Sequence, residues 1–298
     1  MNYHNPVLLD ECLEALEIKP TGIYVDVTFG GGGHSNAIAN KLSSGKLVAF
    51  DQDDDSIAQN DNENILLINQ NFKYLKKYLR YYEMMPIDGL LADLGVSSYQ
   101  IDTPERGFST RYEGVLDMRM NRNNPLTARE IVNTYSEKDL QRIFSEYGEL
   151  INSKKLALTI VEARKEREIV TINDLKDAIK SCVNKVNDNQ YFAQVFQALR
   201  MEVNDELGAL KDMLMQCSEV MKIGGRLAVI SYHSLEDRLV KNFIAKGKFT
   251  GEVEKDFYGN KMEVPFKAVN KKPILAGHDE RKRNPRSRSA KLRIAEKI

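Results

Sequence analysis

The chain has 298 residues, 42% of them hydrophobic and 29% charged, which is typical of a globular protein with one large domain or two ordinary ones. Its three cysteines, Cys12, Cys182 and Cys217, lie far apart, which argues against a disulfide framework or a paired metal motif, so no metal is expected. There is no targeting segment and no apolar stretch of membrane-spanning length, so we expect a cytoplasmic protein without a membrane partner.

The formal net charge of +0 conceals an asymmetry along the chain. Residues 1–100 hold 14 Asp or Glu and 7 Lys or Arg, a net of −7, whereas residues 271–298 hold 3 and 10, a net of +7. A basic end on a neutral protein suggests a polyanionic partner. Charge alone fits a solvated tail equally well.

The first hundred residues alternate strand-like and helix-like segments. The predicted strands are Ile23–Phe29, Leu47–Asp51, Ile65–Asn69 and Ile87–Leu94, and the predicted helices between them are Ser35–Ser43, Asp54–Asn60 and Phe72–Tyr82. Strands separated in this way form βαβ units, which predicts a parallel sheet with helices on both faces.

From about residue 127 to 186 no strand pattern is convincing, and helix-start patterns recur. Three hydroxyl residues each stand three positions before an acid, in the pairs Thr127 and Glu130, Ser136 and Asp139, and Thr171 and Asp174. This is the arrangement of a capping box, in which the two residues satisfy free N–H groups at a helix start. The region is therefore predicted to be a helical insertion.

The strand-helix alternation returns afterwards. The predicted elements are a long helix over Leu199–Met221, a strand over Arg226–His233, a helix over Ser234–Lys246 and a late edge strand over Lys291–Ala295. The simplest architecture is one α/β domain, residues 1–103 and 196–298 with a basic C-terminal tail, interrupted by a helical domain over residues 104–195.

A glycine-rich loop, VDVTFGGGGHS over residues 25–35, joins the first strand to the first helix of the sheet. A phosphate-binding P-loop needs Lys and then Ser or Thr after its last glycine, whereas His34 and Ser35 follow this one. The dinucleotide fingerprint lacks its third glycine, because Ser35 stands there, so that interpretation is weakened without being removed.

S-adenosylmethionine fits the loop better. Asp26 stands four residues before Gly30 and is placed to hold the cofactor's ammonium, while Asp51 ends the next strand and is placed to accept from the ribose hydroxyls. Glycines allow close backbone approach, and the loop lacks a Lys or Arg for a phosphate, which S-adenosylmethionine does not carry. The remaining alternative is a turn that serves only to join strand to helix.

Seven segments in order along the chain resemble the RsmH family, also called MraW. They are HNPVLLDE, DVTFGGGGHS, LADLGVSSYQID, ERGFS, LDMRMN, SYHSLEDR and NPRSRSAKLRIAEK. The resemblance implies a class I, Rossmann-like, S-adenosylmethionine-dependent methyltransferase sheet with an inserted all-helical domain. It also implies methylation of the N4 amine of one cytidine in the decoding region of 16S rRNA, within the small ribosomal subunit.

The family resemblance also implies site residues. The cofactor contacts that it implies are Gly32, Gly33, His34, Asp51, Phe72, Asp93 and Gln100. Phe72 would flank the adenine, although a core aromatic on a helix is the simpler reading of that residue alone. Two positions depart from the family pattern: Asn121 stands where an Asp is usual, and Gly31 where many relatives carry a larger residue.

Catalysis at an exocyclic amine needs acceptors for its protons, because its lone pair is delocalised into the ring. Asp93, helped by Ser97 or Ser98, is the candidate acceptor, since the chain lacks the Pro-Pro motif of many amino-methyltransferases. His233 faces the target base, binds RNA or is a hydrogen-bonded structural histidine, and the sequence leaves these alternatives open. Candidate RNA contacts are Arg106, Arg111, Arg281, Lys282, Arg283, Arg286, Arg288 and Lys291.

Three other functions stay open at this point. A methyltransferase acting on another nucleic acid or on a protein side chain would share the cofactor half of the chain. A ribosome-assembly factor that binds RNA and senses S-adenosylmethionine without turnover is a second alternative. A dehydrogenase is a distant third, and the sequence is silent on oligomeric state.

Overall fold

The computed structural model describes residues 6–58, 60–183, 188–253 and 263–298. The chain divides into two compact units. Residues 1–95 and 207–298 form one, called the sheet unit, and residues 96–206 form the other, called the helical unit. The domain boundaries expected from the sequence, before 104 and after 195, both fall within the helical unit.

One mixed β-sheet organises the sheet unit. Its strands are β1 Ile23–Asp26, β2 Lys46–Asp51, β3 Ile65–Asn69, β4 Ile87–Asp93, β5 Met221–Ser231, β6 Phe266–Ala268, β7 Ile274–Leu275 and β8 Lys291–Lys297. In the described part of the chain the strand order is β3-β2-β1-β4-β5-β8-β6, with β7 paired to β8. Strands β1 to β5 pair in parallel, and β8 runs antiparallel to β5.

The helices separate the strands and build the helical unit. They are α1 Leu9–Leu16, α2 Gly33–Ala39, α3 Asp54–Ile57, α4 Leu75–Tyr81, α5 Ser98–Asp102, α6 Ala128–Thr134, α7 Glu137–Glu146, α8 Ser153–Glu166, α9 Ile172–Ala178, α10 Asp188–Asn204, α11 Glu206–Val220, α12 Ser234–Lys246 and α13 His278–Arg283. Helices α5 to α10 belong to the helical unit, and α11 begins at its last residue.

The parallel strands are buried on both faces, as the continuous aliphatic runs predict. Because successive side chains point to opposite faces, Val25 and Val48 enter one hydrophobic cluster, while Tyr24 and Leu47 enter the cluster on the other face. All four side chains are at most 1% exposed. The sheet is thus the rigid middle layer that carries the loops at its edge.

A topological switch lies at β1. Strand β1 has β2 on one side and β4 on the other, so the chain leaves β1 in one direction and later returns on the opposite side. Ligands of open α/β sheets bind beyond the carboxyl ends of the strands at such a point. Asp26, Asp51 and Asp93 are the last residues of β1, β2 and β4, at that edge.

The predicted edge position of the last strand is wrong. Strand β8 lies between β5 and β6 and pairs with both, and Leu292 and Ala295 are fully buried. The basic end of the chain is therefore a folded part of the sheet unit, since α13, a 3₁₀ turn over Pro285–Ser289 and β8 follow one another. A short strand has the same local sequence pattern at the edge of a sheet as in its middle. Its pairing partners are distant in sequence, so the local pattern does not determine its position.

The helix starts predicted in the helical unit are confirmed. Thr127 and Thr171 form reciprocal capping boxes with Glu130 and Asp174, and the Ser136 side chain accepts from the N–H of Asp139. These caps begin α6, α9 and α7. The helices enclose a core of their own, in which Ile131, Ile143 and Leu156 are among the fully buried residues.

The single long helix predicted over Leu199–Met221 is wrong, because α10 ends at Asn204 and α11 starts at Glu206. Asp205 between them has a φ of 49°, a left-handed conformation that short polar side chains tolerate. The Asn204 amide donates to the carbonyl of Met118, and its oxygen accepts from the N–H of Met120. These buried bonds hold the chain where the helix is interrupted.

None of the helices in the described ranges is both long enough and apolar enough to cross a membrane.

Candidate cofactor-binding and catalytic site

The glycine loop fills the turn between β1 and α2, and two of its glycines are sterically required. Gly32 has a φ of 76°, and a Cβ there would lie 2.9 Å from the Phe29 ring. A Cβ on Gly33 would lie 2.4 Å from Pro6, whereas one on Gly31 would meet nothing within 4 Å. The loop is therefore packed against neighbouring side chains at Gly32 and Gly33, whereas the space beside Gly31 is empty.

Asp26 fixes this loop from inside. Its carboxylate is fully buried and accepts from the N–H and hydroxyl of Thr28 at 3.0 and 3.2 Å, and from the Ser35 hydroxyl at 2.7 Å. A buried carboxylate needs such partners. Asp26 thus joins both ends of the loop, a positioning role that differs from direct contact with a cofactor ammonium.

Asp51, at the end of β2, faces the same loop. One of its carboxylate oxygens accepts from the Gly30 N–H at 2.8 Å, and the other accepts from the Asp53 N–H at 2.9 Å. Burial raises the pKa of this carboxyl to about 6, against the hydrogen bonds that lower it. Each carboxylate oxygen has more than one acceptor position, so ribose hydroxyls can still donate to Asp51.

Asp93, at the end of β4, is the centre of a polar cluster. Its Oδ1 accepts from the Tyr232 hydroxyl at 2.7 Å, and its backbone N–H donates to the Thr28 hydroxyl at 2.7 Å. Burial raises the pKa of the carboxyl to about 6, while His34 and Tyr232 act in the opposite direction. The side chain is 22% exposed, so part of the carboxylate reaches solvent.

His34 lies between the N-terminal segment and Asp93. Its Nε2 is 3.0 Å from the carbonyl of Val7, and because a carbonyl oxygen only accepts, Nε2 carries a proton. The other ring nitrogen, Nδ1, lies 3.8 Å from the carboxylate of Asp93. The ring is buried at the start of α2, so the structure brings His34 and Asp93 together at the loop.

Phe72 lies in a 3₁₀ turn, Phe72–Tyr74, shortly after β3. The Asn71 amide donates to the side-chain oxygen of Gln52 at 2.9 Å, which ties this turn to the residue that follows Asp51. The Phe72 ring is half-buried and packs against the core. The structure therefore brings Phe72 to the edge of the sheet where Asp51 lies.

Three of the predicted cofactor and catalytic residues lie in the helical unit. Ser97 starts α5, and its hydroxyl accepts from the Gln100 N–H while the Gln100 side chain accepts from the Ser97 N–H. Gln100 is 4% exposed and Ser98 is half-buried. Within the helical unit, Ser97 and Gln100 cap the start of α5. The cofactor contact of Gln100 and the catalytic role of Ser97 or Ser98 stay predictions.

Arg106 does not present its guanidinium at the surface. It is 2% exposed and donates to the carbonyls of Arg119 and Met120. This burial gives Arg106 a structural role and does not support the predicted phosphate contact. Arg111, in the same unit, is exposed.

The other predicted RNA contacts lie near the end of the sheet unit. Exposed side chains are those of Arg281, Lys282, Arg283 and Arg288, while Arg286 and Lys291 are half-buried. The Lys291 ammonium lies 3.7 Å from the carboxylate of Asp237, which also pairs with Arg293. The four exposed residues thus form the accessible basic surface of this segment.

Sequence reasoning missed Tyr232. The motif SYHSLEDR contains it, and the residue that the motif singles out is His233. The Nδ1 of His233 accepts from the N–H of Glu236 at 3.4 Å and caps α12. Tyr232 reaches Asp93 because β5 lies beside β4. The signal available in the sequence was a Tyr directly after a strand predicted to end at the same edge.

The strand order, the glycine loop and the acids that end β2 and β4 define a class I, Rossmann-like methyltransferase sheet with a helical insertion, as predicted. A family model described as the MraW methylase family matches residues 1–298. The chain therefore belongs to the MraW methylase family.

Curated relatives are similar in sequence to this chain over almost their whole length. A "Ribosomal RNA small subunit methyltransferase H" from Flavobacterium johnsoniae is 55% identical over 100% of this chain and 99% of its own. The protein of the same name from Cytophaga hutchinsonii is 54% identical, covering 99% of each. A solved rRNA methylase from Streptococcus thermophilus has a TM-score of 0.44 at 13% identity, covering 100% of this chain and 99% of that one.

Proposed function

We propose that this chain transfers a methyl group from S-adenosylmethionine to the N4 amine of a cytidine in the decoding region of 16S rRNA. The proposal rests on the names of the curated relatives and above all on one observation. Asp51 and Asp93 end β2 and β4 on either side of the glycine loop, at the switch point of the sheet. This rRNA substrate implies the cytoplasm and the small subunit as its setting.

The residues at the loop fit S-adenosylmethionine. There is no room for a Cβ at Gly32 or Gly33, because Phe29 and Pro6 lie against them. The space beside Gly31 is empty, so a cofactor can approach the backbone there. Asp51 offers acceptors for ribose hydroxyls, and Phe72 lies at the same edge for the adenine. No Lys or Arg lies in the loop, as suits a cofactor without phosphate.

When bound, S-adenosylmethionine supplies an electrophilic methyl group on a sulfonium. Asp93 then accepts a hydrogen bond from the N4 amine, which directs the nitrogen lone pair toward that methyl group. As the nitrogen–carbon bond forms, the bond between that methyl carbon and the sulfonium sulfur would break, with S-adenosylhomocysteine as the leaving group. The amine loses one proton, and the Asp93 carboxylate is the acceptor for it. Ser97 or Ser98, close to Asp93 along the chain, are the proposed helpers.

Substitution of Asp93 tests this role. Asp93→Asn keeps an oxygen for the Tyr232 hydroxyl but removes the basic carboxylate, so we expect kcat to fall about 10²-fold to 10³-fold. Binding of S-adenosylhomocysteine, measured by calorimetry, should stay within a few-fold of wild type. Full turnover by the variant with intact cofactor binding would refute the role of Asp93.

The function itself is tested by methyl transfer from labelled S-adenosylmethionine to small ribosomal subunits that lack the modification, followed by nucleoside analysis. Labelled N4-methylcytidine is the expected product. A different labelled nucleoside would move the assignment to another base. Normal binding of cofactor and subunit without any label would instead favour a non-catalytic assembly factor.

A further inference from the structure

A cationic, tyrosine-rich segment covers α4 and the residues next to it. The sequence FKYLKKYLRYY, residues 72–82, holds four tyrosines and four Lys or Arg and no acid. Four of the seven basic residues of the first hundred lie in this segment, although that part of the chain has a net charge of −7. The function proposed above uses only Phe72 from this segment.

The helix has one buried side and one exposed side. Leu75 and Leu79 are fully buried against the sheet, one turn apart, so the opposite side faces away from the core. Tyr74 is 42% exposed and Tyr81 is 76% exposed. Tyr74 ends the 3₁₀ turn that leads into α4, and Tyr81 is the last residue of α4, so the segment exposes one tyrosine at each end of the helix.

Basic groups lie beside the tyrosine rings. The Lys73 ammonium is 5.4 Å from the centre of the Tyr74 ring, and the Lys77 ammonium is 5.8 Å from that of Tyr78. Lys77, Tyr78, Arg80 and Tyr81 also line a shallow surface pocket. We call the surface formed by the exposed Tyr74, Lys77, Arg80 and Tyr81, together with the half-buried Tyr78, the tyrosine-lysine face.

Lys77 and Arg80 of this face, and Lys73 beside it, have no carboxylate partner within the described ranges. Lys76 pairs with Glu219 of α11, but no salt bridge involves Lys73, Lys77 or Arg80 in the described part of the chain. Unneutralised cations beside exposed rings suit a ligand that repeats a flat base and a phosphate. An apolar partner would leave three charges to be buried without compensation.

We propose that the tyrosine-lysine face binds a single-stranded segment of RNA, with bases stacked on the exposed tyrosines and phosphates held by Lys77 and Arg80. Tyr74 and Tyr81 are about 10 Å apart along the helix axis, at 1.5 Å per residue, a span of roughly three stacked nucleotides. The inference rests on the proposed function only for the source of the RNA, the ribosomal substrate outside its methylated nucleotide.

The first test measures affinity for a fluorescently labelled single-stranded RNA oligonucleotide by anisotropy. The double change Tyr74→Ala and Tyr81→Ala should weaken binding about tenfold or more, because it removes two stacking surfaces. The matched change Tyr74→Phe and Tyr81→Phe keeps the rings and should retain the affinity. Equal affinity of the alanine variant and wild type would overturn the proposal.

The second test uses the salt dependence of the same binding. Lys77→Ala with Arg80→Ala should reduce the slope of log affinity against log salt by about 1.4, the value for two phosphate contacts on a single strand. Lys41→Ala with Lys46→Ala, which removes two exposed lysines of the same unit, should leave the slope unchanged. An equal change of slope in both double variants would show that only the net charge of the protein matters, and it would overturn the proposed site.

A third readout locates the RNA. The chain contains no tryptophan, so Tyr81→Trp introduces a single indole on the face. Quenching of its emission by the oligonucleotide is expected from stacking, and an unaltered emission at saturating RNA would contradict it. Unchanged binding of S-adenosylhomocysteine shows that each variant is folded.

The outcomes separate this inference from the proposed function. If wild type methylates small subunits and the face variants bind RNA normally, only the inference fails. If the variants lose oligonucleotide affinity while wild type transfers no methyl group, only the proposed function fails. If the variants lose affinity for whole subunits but not for the oligonucleotide, the partner is a ribosomal protein and the inference is overturned.

Discussion

At the scale of single residues, the candidate site is held by side chains that bridge neighbouring strands. Thr28 shows this most clearly, because its hydroxyl donates to Asp26 at the end of β1 and accepts from the N–H of Asp93 at the end of β4. Tyr232, after β5, donates to Asp93 from the next strand. The position of Asp93 is thus set by residues that follow the two strands on either side of β4.

Tyr232→Phe should shift the pH dependence of the methyl transfer. The Tyr232 hydroxyl stabilises the ionised form of Asp93, so its removal raises the pKa of that carboxyl above about 6. The acid limb of the plot of kcat against pH should then move to higher pH by about one unit. The decrease in kcat at pH 8 should be smaller than the decrease on the acid limb. An acid limb at the wild-type pH would show that the hydroxyl does not act on Asp93.

Two neighbouring glycines offer a matched pair of substitutions. Gly32→Ala forces a left-handed residue and a contact with Phe29, so we expect a loss of roughly 1–2 kcal/mol of unfolding free energy and weaker cofactor binding. Gly31→Ala meets nothing within 4 Å and should change the stability by less than about 0.5 kcal/mol. Chemical denaturation and calorimetry with S-adenosylhomocysteine measure both; equal losses would contradict the explanation.

At the scale of secondary-structure elements, β8 is the least expected feature. It carries hydrogen bonds to β5 on one side and β6 on the other, although it is built from the last residues of a basic segment. Its side chains alternate between buried Leu292 and Ile294 and half-buried Lys291 and Arg293. The segment that carries the exposed arginines is therefore anchored by the sheet core.

Leu292→Ala measures this anchoring. The side chain is fully buried, so its truncation should lower the free energy of unfolding by about 2–4 kcal/mol. The same substitution at Leu275, in the neighbouring β7 but 55% exposed, should cost less than about 0.5 kcal/mol. Urea denaturation of the two variants provides the comparison, and similar costs would be inconsistent with a central β8.

At the scale of the whole molecule, the candidate site works against folding stability. Asp51 and Asp93 both have a pKa raised by burial to about 6 from an ordinary value of 3.8. Well below pH 3.8, such a carboxyl is protonated in folded and unfolded chains alike. As the pH rises toward 6 the unfolded chain releases the proton first, which favours unfolding, and above about 6 the cost is constant.

Asp93→Asn should therefore stabilise the unliganded protein at neutral pH. We expect a gain of roughly 1–3 kcal/mol above about pH 6 that shrinks as the pH falls and disappears well below pH 3.8, because the amide has no charge to bury. Asp51→Asn is a poorer probe, since both Asp51 oxygens accept backbone N–H bonds that an amide cannot both keep. Thermal unfolding at several pH values tests this, and a variant less stable than wild type at pH 7.5 would contradict it.

The sequence by itself determined the local elements and the chemistry of the loop. Aliphatic runs predicted β1 to β5, and hydroxyl–acid pairs predicted the starts of α6, α7 and α9, because these signals depend on near neighbours in the chain. The glycine pattern and its two acids indicated the cofactor for the same reason. The family motifs then identified the chain as a methylase.

Only the tertiary structure decided which residues meet. The central place of β8, the capping role of His233, the burial of Arg106 and the bond from Tyr232 to Asp93 each depend on partners far away along the chain. The local sequence around these residues does not distinguish a central strand from an edge strand, a capping histidine from a catalytic one, or a buried arginine from an exposed one. Strand order and burial are properties of the packed chain, so they supply what local patterns lack.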